Sequence, residues 1–352
     1  AHAHAHASIV DERSEYLRQR LFSGGLRMFV QPIIDIRTGD LLKVEALARL
    51  QDVDGHTISP GVFLPLLDDI HLHRLFEESF KQSLEILSCF EKQDLTTGVS
   101  VNMPPSYLLN FEGFKVVQAA LSKYNMTADR VTLELLEMED VEQSIQNAHL
   151  RHYRDMGFKI AIDDLGSGYS SLLRLSTLPF DVIKIDQGVL RHVYKTPLQI
   201  FSVIRSVLSM GEDFSNCVVI EGVEDVDMLE AIYYLKGSYV QGYAVTRPMP
   251  SEEFVEWYRN YRNNWRSPTR ITTPLGALAC HWMAMRVGCA LTSLEACPLT
   301  QWLKDSGLEK EDVFQWHVDF HNGNVRSDGV RSLSTYLISR VVDSNPRKQK
   351  KG

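Results

Sequence analysis

Between residues 27 and 258 the chain alternates two textures: short runs of β-branched and other apolar residues, and longer stretches whose apolar positions recur every three or four residues. The short runs predict strands over 28–35, 41–48, 98–103, 131–136, 158–162, 182–186, 218–221 and 239–243, and the longer ones predict helices over 71–90, 139–156, 198–210 and 226–235. Strand followed by helix, repeated, calls for a mainly parallel sheet covered by helices. A count near eight favours closing that sheet into a TIM-like α/β barrel. The first two strands flank Thr38-Gly39-Asp40, a turn sequence that predicts a hairpin and so one antiparallel strand in the barrel.

The texture changes over 263–274, where Asn, Arg, Ser, Thr and Pro replace the apolar periodicity and mark a domain boundary. Beyond it the chain is helix-like and rich in Cys, Trp and His, up to a basic, polar tail over 345–352 that is expected to be disordered. The 352 residues, 44% hydrophobic and 23% charged, suffice for a barrel of about 250 residues plus a smaller module. The expected division is a barrel over 8–264 and a small, mainly helical C-terminal domain over 265–352. The alternating Ala/His run over 1–7 resembles a metal-affinity expression tag, so His2, His4 and His6 are set aside. No apolar run approaches the roughly 20 residues that cross a bilayer, and a cytoplasmic protein without a membrane span is expected. The net charge of −8 argues against a nucleic-acid-binding face, so no DNA partner is expected. Cys89, Cys217, Cys280, Cys289 and Cys297 are widely spread and read as reduced thiols.

Chemistry in a parallel barrel gathers at the C-terminal ends of its strands, and there the sequence places carboxylates and amides. Glu45 lies late in the second predicted strand, Asn102 near the end of the third, Glu134 in the fourth, Asp163 and Asp164 after the fifth, and Glu221 at the end of the seventh; Lys184 sits in the sixth and Gln241 in the eighth. Any one of these alone reads as a solvated strand-end residue. Five carboxylates at one barrel mouth would repel one another unless cations held them together, and such hard oxygen donors suit Mg²⁺, Mn²⁺ or Ca²⁺ better than zinc.

These residues fall within motifs that occur in one known family in the same order. Gln31-Pro32-Ile33 is followed by Glu45-Ala46-Leu47-Ala48-Arg49, then Val101-Asn102, Glu134-Leu135-Leu136-Glu137, the stretch from Asp163 to Ser171, Lys184-Ile185-Asp186, Glu221-Gly222-Val223-Glu224 and Gln241-Gly242-Tyr243. The chain thereby resembles the EAL family of cyclic di-GMP phosphodiesterases over roughly 27–258. The resemblance implies an EAL-type barrel with one antiparallel strand, binding cyclic di-GMP and hydrolysing it to linear pGpG with two Mg²⁺ or Mn²⁺ ions. It implies that Glu45, Asn102, Glu134, Asp163, Asp164 and Glu221 hold metal, with Glu45, Glu221 and Lys184 catalytic and Lys184 orienting water. Gln31, Arg49 and Gln241 match positions at the dinucleotide. Glu137 and the loop of Gly166, Ser167, Gly168 and Tyr169 match elements that couple the metal site to homodimerisation. An acidic pocket accepts an anionic phosphodiester only through cations, which can aim water in line at phosphorus and stabilise the departing 3′ oxygen.

Leu136 and Ser167 stand where threonine is usual in the family, Leu165 where phenylalanine is usual, and Met103-Pro104 where Leu-Ser is usual. None of these removes a ligand, yet they motivate an alternative: a weakly catalytic barrel that acts as a cyclic di-GMP receptor or protein-interaction module. In the C-terminal part, His317 and His321 share one face if 313–322 is helical. With His281 and one of Cys280, Cys289 or Cys297 they would make a four-ligand zinc site. Cys297-Pro298-Leu299-Thr300-Gln301-Trp302 ahead of His317 and His321 resembles the chemoreceptor zinc-binding domain, which implies His281, Cys297, His317 and His321 as the ligands. Thr300 replaces a usual glycine, and the interval from His281 to Cys297 is shorter than in that domain. The competing reading is a packed helical core, with Trp282, Trp302 and Trp316 building a core or dimer interface.

Overall fold

A computed structural model describes residues 2–135, 142–165, 175–287 and 292–346. Ten strands occur among them: β1 Leu26–Asp35, β2 Leu41–Gln51, β3 Thr57–Ile58, β4 Gly98–Met103, β5 Val131–Leu135, β6 Lys159–Leu165, β7 Val182–Ile185, β8 Cys217–Ile220, β9 Tyr239–Val240 and β10 Met249–Pro250. Their hydrogen-bonded order is β10-β1-β9-β8-β7-β6-β5-β4-β2-β3, and β1 also pairs with β2, so the ladder closes into the TIM-like α/β barrel that strand count and order predict. β1 runs antiparallel to β9 and β10 and β2 antiparallel to β3, whereas the β2–β4, β4–β5 and β5–β6 pairs are parallel. The hairpin after β1 forms where Thr38-Gly39-Asp40 places it: Gly39 N donates to Asp35 O at 2.7 Å, and Gly39 has a φ of 76°, which glycine adopts without steric cost.

The chain divides into two compact units. The first comprises Ala1–Ile33, Leu41–Val182 and Arg247–Asn263. It holds α1 (His2–Arg20), α2 (Asp69–Glu91), α3 (Phe111–Lys123), α4 (Gln143–Asp155) and α7 (Ser251–Asn264). All five residues of β5 are buried, as expected of a parallel strand covered on both faces. α2 starts where the Asp68 side chain accepts from His71 N, and it buries Phe76, Phe80, Ser83, Leu84 and Leu87 along one stripe. Each fully buried Phe or Leu of that stripe contributes about 2 kcal/mol of apolar transfer.

The second unit comprises Ile34–Asp40, Ile183–Thr246 and Asn264–Gly352. It holds α5 (Pro197–Phe214), α6 (Val226–Tyr234), α8 (Pro274–Val287), α9 (Pro298–Asp305), α10 (Asp312–His321) and α11 (Asp328–Asp343). The helices after residue 264 thus share a unit with β8, β9 and α6. Trp282 of α8 meets Phe201 of α5 edge-on at 5.7 Å between ring centroids. The tighter join is the carboxylate of Glu230 on α6: Oε1 accepts from Thr272 N and the Thr272 hydroxyl, and Oε2 accepts from Thr273 N and Thr273 Oγ1. Thr273 immediately precedes α8, so a side chain of α6 fixes the start of α8 and stands near its positive end. Gly276 is needed beside it, because an added Cβ would lie 2.4 Å from Glu230 Oε2.

No helix among the described residues is long and apolar enough to cross a membrane. Of the tail expected over 345–352, Asn345 is buried and residues 347–352 lie outside the described residues, as does Cys289.

Candidate functional site

The register of the first unit sets the acidic end of its strands. Glu45 on β2 lies opposite Ser100 on β4, and Asn102, two residues further on, lies opposite Glu134 on β5. Glu45 Oε1 accepts a hydrogen bond from Asn102 Nδ2 at 3.1 Å, and both carboxylates are buried, Glu134 at 2% and Glu45 at 7% exposure. Asp163 and Asp164 stand at the end of the neighbouring β6, where Asp163 is half-buried; the side chain of Asp164 lies outside the described residues. Burying carboxylates costs several kcal/mol unless a cation or donors compensate. Carboxylate and amide oxygens at adjacent strand ends are the donor set that Mg²⁺ and Mn²⁺ take. In the same unit Gln31 is buried on β1, and Arg49 on β2 has its guanidinium 5.5 Å from the Phe29 ring centroid while Nη1 donates to Ala48 O. A cavity of about 410 Å³, walled by Leu47, Leu72, Leu75 and Phe76, reaches Asn102 and Glu134.

In the second unit Lys184, 1% exposed on β7, puts Nζ 2.5 Å from Glu221 Oε1 just past β8. Backbone bonds hold this end in place: Glu221 N donates to Ile185 O, Gln241 N to Ile220 O, and Val223 N to Gln241 O. The glycines of the two motifs have steric reasons. Gly222 has a φ of 67° and an added Cβ would lie 2.4 Å from Gln187 Cβ; at Gly242 the added atom would lie 2.2 Å from Val223 O. Gly242 also explains why β9 ends at Val240 instead of running to residue 243: the chain leaves the ladder to pass against Val223. Gln241 itself is 5% exposed. Glu137, Gly166, Ser167, Gly168 and Tyr169 lie outside the described residues, as does Leu136.

A separate cluster forms in the C-terminal helices. Cys297, His317 and His321 each offer a ligand atom within 4.8 Å of the others. The helical spacing works as expected, since the two imidazoles of α10 meet edge-on at 4.6 Å between centroids. His317 Nε2 pairs with Thr300 Oγ1 at 2.8 Å and leaves His317 Nδ1 buried without a partner; His321 Nε2 is likewise buried without a partner. His281 on α8 lies alongside, with Nε2 hydrogen-bonded to Ser334 Oγ at 3.0 Å and Nδ1 buried without a partner. The thiol of Cys280, with help from His317, holds Cys297 well below the ordinary thiol range against the opposing effect of burial. The same contact, together with burial, pushes the Cys280 thiol well up. Burial, reinforced by His317, brings His281 down to about 4 and keeps it neutral.

A second grouping, Asp52, Asp54 and His56, sits on the turn between β2 and β3. There the Asp52 carboxylate accepts from Asp54 N and His56 N, which is a turn clasp. Sequence reading named Cys280 only as an alternative ligand and Thr300 only as a departure, and it missed Ser334; that Thr300 and Ser334 bond the histidines and Cys280 meets Cys297 is seen only in the structure. The available signals were the threonine in place of glycine at 300 and the second cysteine adjacent to His281.

Comparison with known proteins places these motifs in context. The family model described as EAL domain matches residues 14–248. The chain is 31% identical over 243 residues to the uncharacterized protein y4lL of Sinorhizobium fredii, covering 67% of this chain and 28% of that one. It is 30% identical over 241 residues to the cyclic di-GMP phosphodiesterase RocR of Pseudomonas aeruginosa, covering 67% of this chain and 61% of RocR. The chain therefore spans less than two thirds of the length of these relatives. Among solved structures, the PaMucR phosphodiesterase in complex with c-di-GMP superposes with a TM-score of 0.63 at 28% identity, covering 68% of this chain and 98% of that one.

Proposed function

Because the chain belongs to the EAL domain family, we propose that it is a cyclic di-GMP phosphodiesterase that opens the ring to linear pGpG with two Mg²⁺ or Mn²⁺ ions. The observation that carries this reading is the run of Glu45, Asn102 and Glu134 on three neighbouring strands, together with the buried Lys184–Glu221 pair. Glu45, Asn102, Glu134, Asp163, Asp164 and Glu221 are assigned to the cations. When bound, these offset the phosphodiester's charge and lower the pKa of water. Asn102 holds Glu45 in orientation through its amide. Lys184 keeps its ammonium beside Glu221, where it can donate to an attacking water and meet developing negative charge. Gln31, Arg49 and Gln241 are assigned to the dinucleotide. Homodimerisation through Glu137 and the loop at 166–169, and a cytoplasmic site of action, complete the proposal.

The test is incubation of the full chain with cyclic di-GMP and Mg²⁺ or Mn²⁺, followed by separation of the nucleotides. Linear pGpG in the parent and none in Glu45→Ala is the expected result. Saturable nucleotide binding with no product after long incubation would instead favour the receptor alternative.

For the C-terminal region over 265–352 we propose a helical zinc-binding domain. Cys297, His317 and His321, with His281 as the fourth, are its ligands, supported by the ligand atoms of the first three lying within 4.8 Å of one another and by the buried, partnerless nitrogens His281 Nδ1, His317 Nδ1 and His321 Nε2. Thr300 Oγ1 accepts from His317 Nε2–H, which leaves Nδ1 as the ligand atom. Metal analysis of purified protein, with Cys297→Ala as control, checks this reading.

A further inference from the structure

Among the described residues of the first unit, the charged side chains that are buried are Glu45, Glu134 and Lys43. The two carboxylates are assigned above to metal; Lys43, 7% exposed on β2, has no part in that assignment. The register places it. Lys43 lies opposite Gly98 and Glu45 opposite Ser100 on β4, while Ser100 lies opposite Thr132 and Asn102 opposite Glu134 on β5. Side chains alternate faces along a strand, so Lys43, Glu45, Asn102, Thr132 and Glu134 share one face. The bond from Asn102 Nδ2 to Glu45 Oε1 marks it as the face that carries the site. Lys43 reaches across β4 on that face, where its Nζ donates to Thr132 Oγ1 at 2.9 Å in a buried contact. Gly98 leaves the way open, since it has no side chain and a Cβ added there would lie 3.8 Å from Lys43 Cβ.

The ammonium is therefore held beside the carboxylates. Thr132 precedes Glu134 by two residues on β5, and two strand residues span about 7 Å. Lys43 precedes Glu45 by two on β2. At such a range a fixed positive charge in a poorly screened interior is felt strongly. It acts with opposite signs on two states. Without metal, the carboxylates bear the cost of burial and of mutual repulsion, and the ammonium offsets both. With metal, the same charge repels the arriving divalent ion, and it cannot leave because it is part of the strand.

Resting on the metal assignment of Glu45 and Glu134, we infer that Lys43 is the resident counter-charge of this site: it holds the carboxylates in the metal-free barrel and sets the concentration of divalent cation at which they load. Lys43 acts through Glu45 and Glu134, which makes it a positioning residue. Occupancy, and hydrolysis with it, then follows free Mg²⁺ or Mn²⁺ over a higher range of concentration than the carboxylates alone would set.

The experiment titrates the full chain with Mn²⁺ and reads the free ion by electron paramagnetic resonance, counting as barrel binding the part lost in Glu45→Ala. Lys43→Met should lower the half-saturating Mn²⁺ concentration on the order of tenfold. In chelator the same variant should unfold at lower urea than the parent, and Mn²⁺ should restore its midpoint. A lysine that only packs would give the opposite sign, since a loosened site binds metal less well. Lys43→Gln keeps a donor for Thr132 Oγ1 without the charge, and it should show the same shift if Lys43→Met does not fold. Half-saturation unchanged or raised in the folded variant would overturn the counter-charge and leave the metal reading standing, as would failure of Lys43→Gln to fold in saturating Mn²⁺. No barrel binding in the parent would overturn both.

Discussion

Lys184 Nζ lies 2.5 Å from Glu221 Oε1, joining the end of one parallel strand to the end of another by a buried ion pair. Breaking a buried ion pair from one side is destabilising, so Lys184→Met should cost about 3 kcal/mol of stability and abolish hydrolysis. The double variant Lys184→Met with Glu221→Gln should recover most of that stability and none of the activity. Urea unfolding measured beside turnover separates the two effects; activity that returned with stability would remove Lys184 from the chemistry.

Glu230 should matter to the C-terminal helices well out of proportion to its exposure of 3%. Its two oxygens receive four donors from Thr272 and Thr273. Glu230→Ala leaves those donors without their acceptor and should destabilise by about 2–4 kcal/mol. Thermal denaturation checks the loss, and hydrogen exchange should show protection falling first at the start of α8.

The apo protein should lose stability in mild acid through His281. Its folded value of about 4 lies below the ordinary 6.5, so between those limits the unfolded chain binds a proton that the native chain does not. Stability therefore falls as pH drops from about 6.5 toward 4, by about 3 kcal/mol in full. Urea titrations in chelator at several pH values should show this slope in the parent and a shallower one in His281→Gln.

Thr300 should act on metal affinity through His317. Thr300→Val removes the acceptor on His317 Nε2 without shrinking the side chain, and zinc affinity should fall about tenfold. Thr300→Ser restores the hydroxyl and should restore affinity. Competition with a chromophoric chelator measures both, and equal affinity in all three proteins would show that Thr300 only packs.

Residues whose task depends on position within one strand were readable from the chain. Asn102 and Glu134 were placed toward strand ends because β-branched runs show where a parallel strand stops, Glu45 fell on the neighbouring strand although that strand runs on to Gln51, and Gly222 and Gly242 were visible as members of their motifs. Their reasons were not visible: the close approach to Gln187 and to Val223 is a property of neighbouring segments. The strand limits moved by a few residues for the same cause, as at β9, where backbone crowding at Gly242 ends a ladder that composition alone would extend.

What the order of residues determined by itself was the strand-and-helix alternation, the antiparallel hairpin at Gly39, the acidic strand ends and the shared face of His317 and His321. All of these follow from short periodicities and local turn chemistry. Only the tertiary structure decided that Glu230 anchors Thr272 and Thr273, that Thr300 and Ser334 orient two histidines, and that Arg37 reaches a cavity beside the cysteine and histidine cluster. Those partners are far apart along the chain, and no local pattern encodes a contact that exists only once distant helices have packed and the polar groups they bury must find one another.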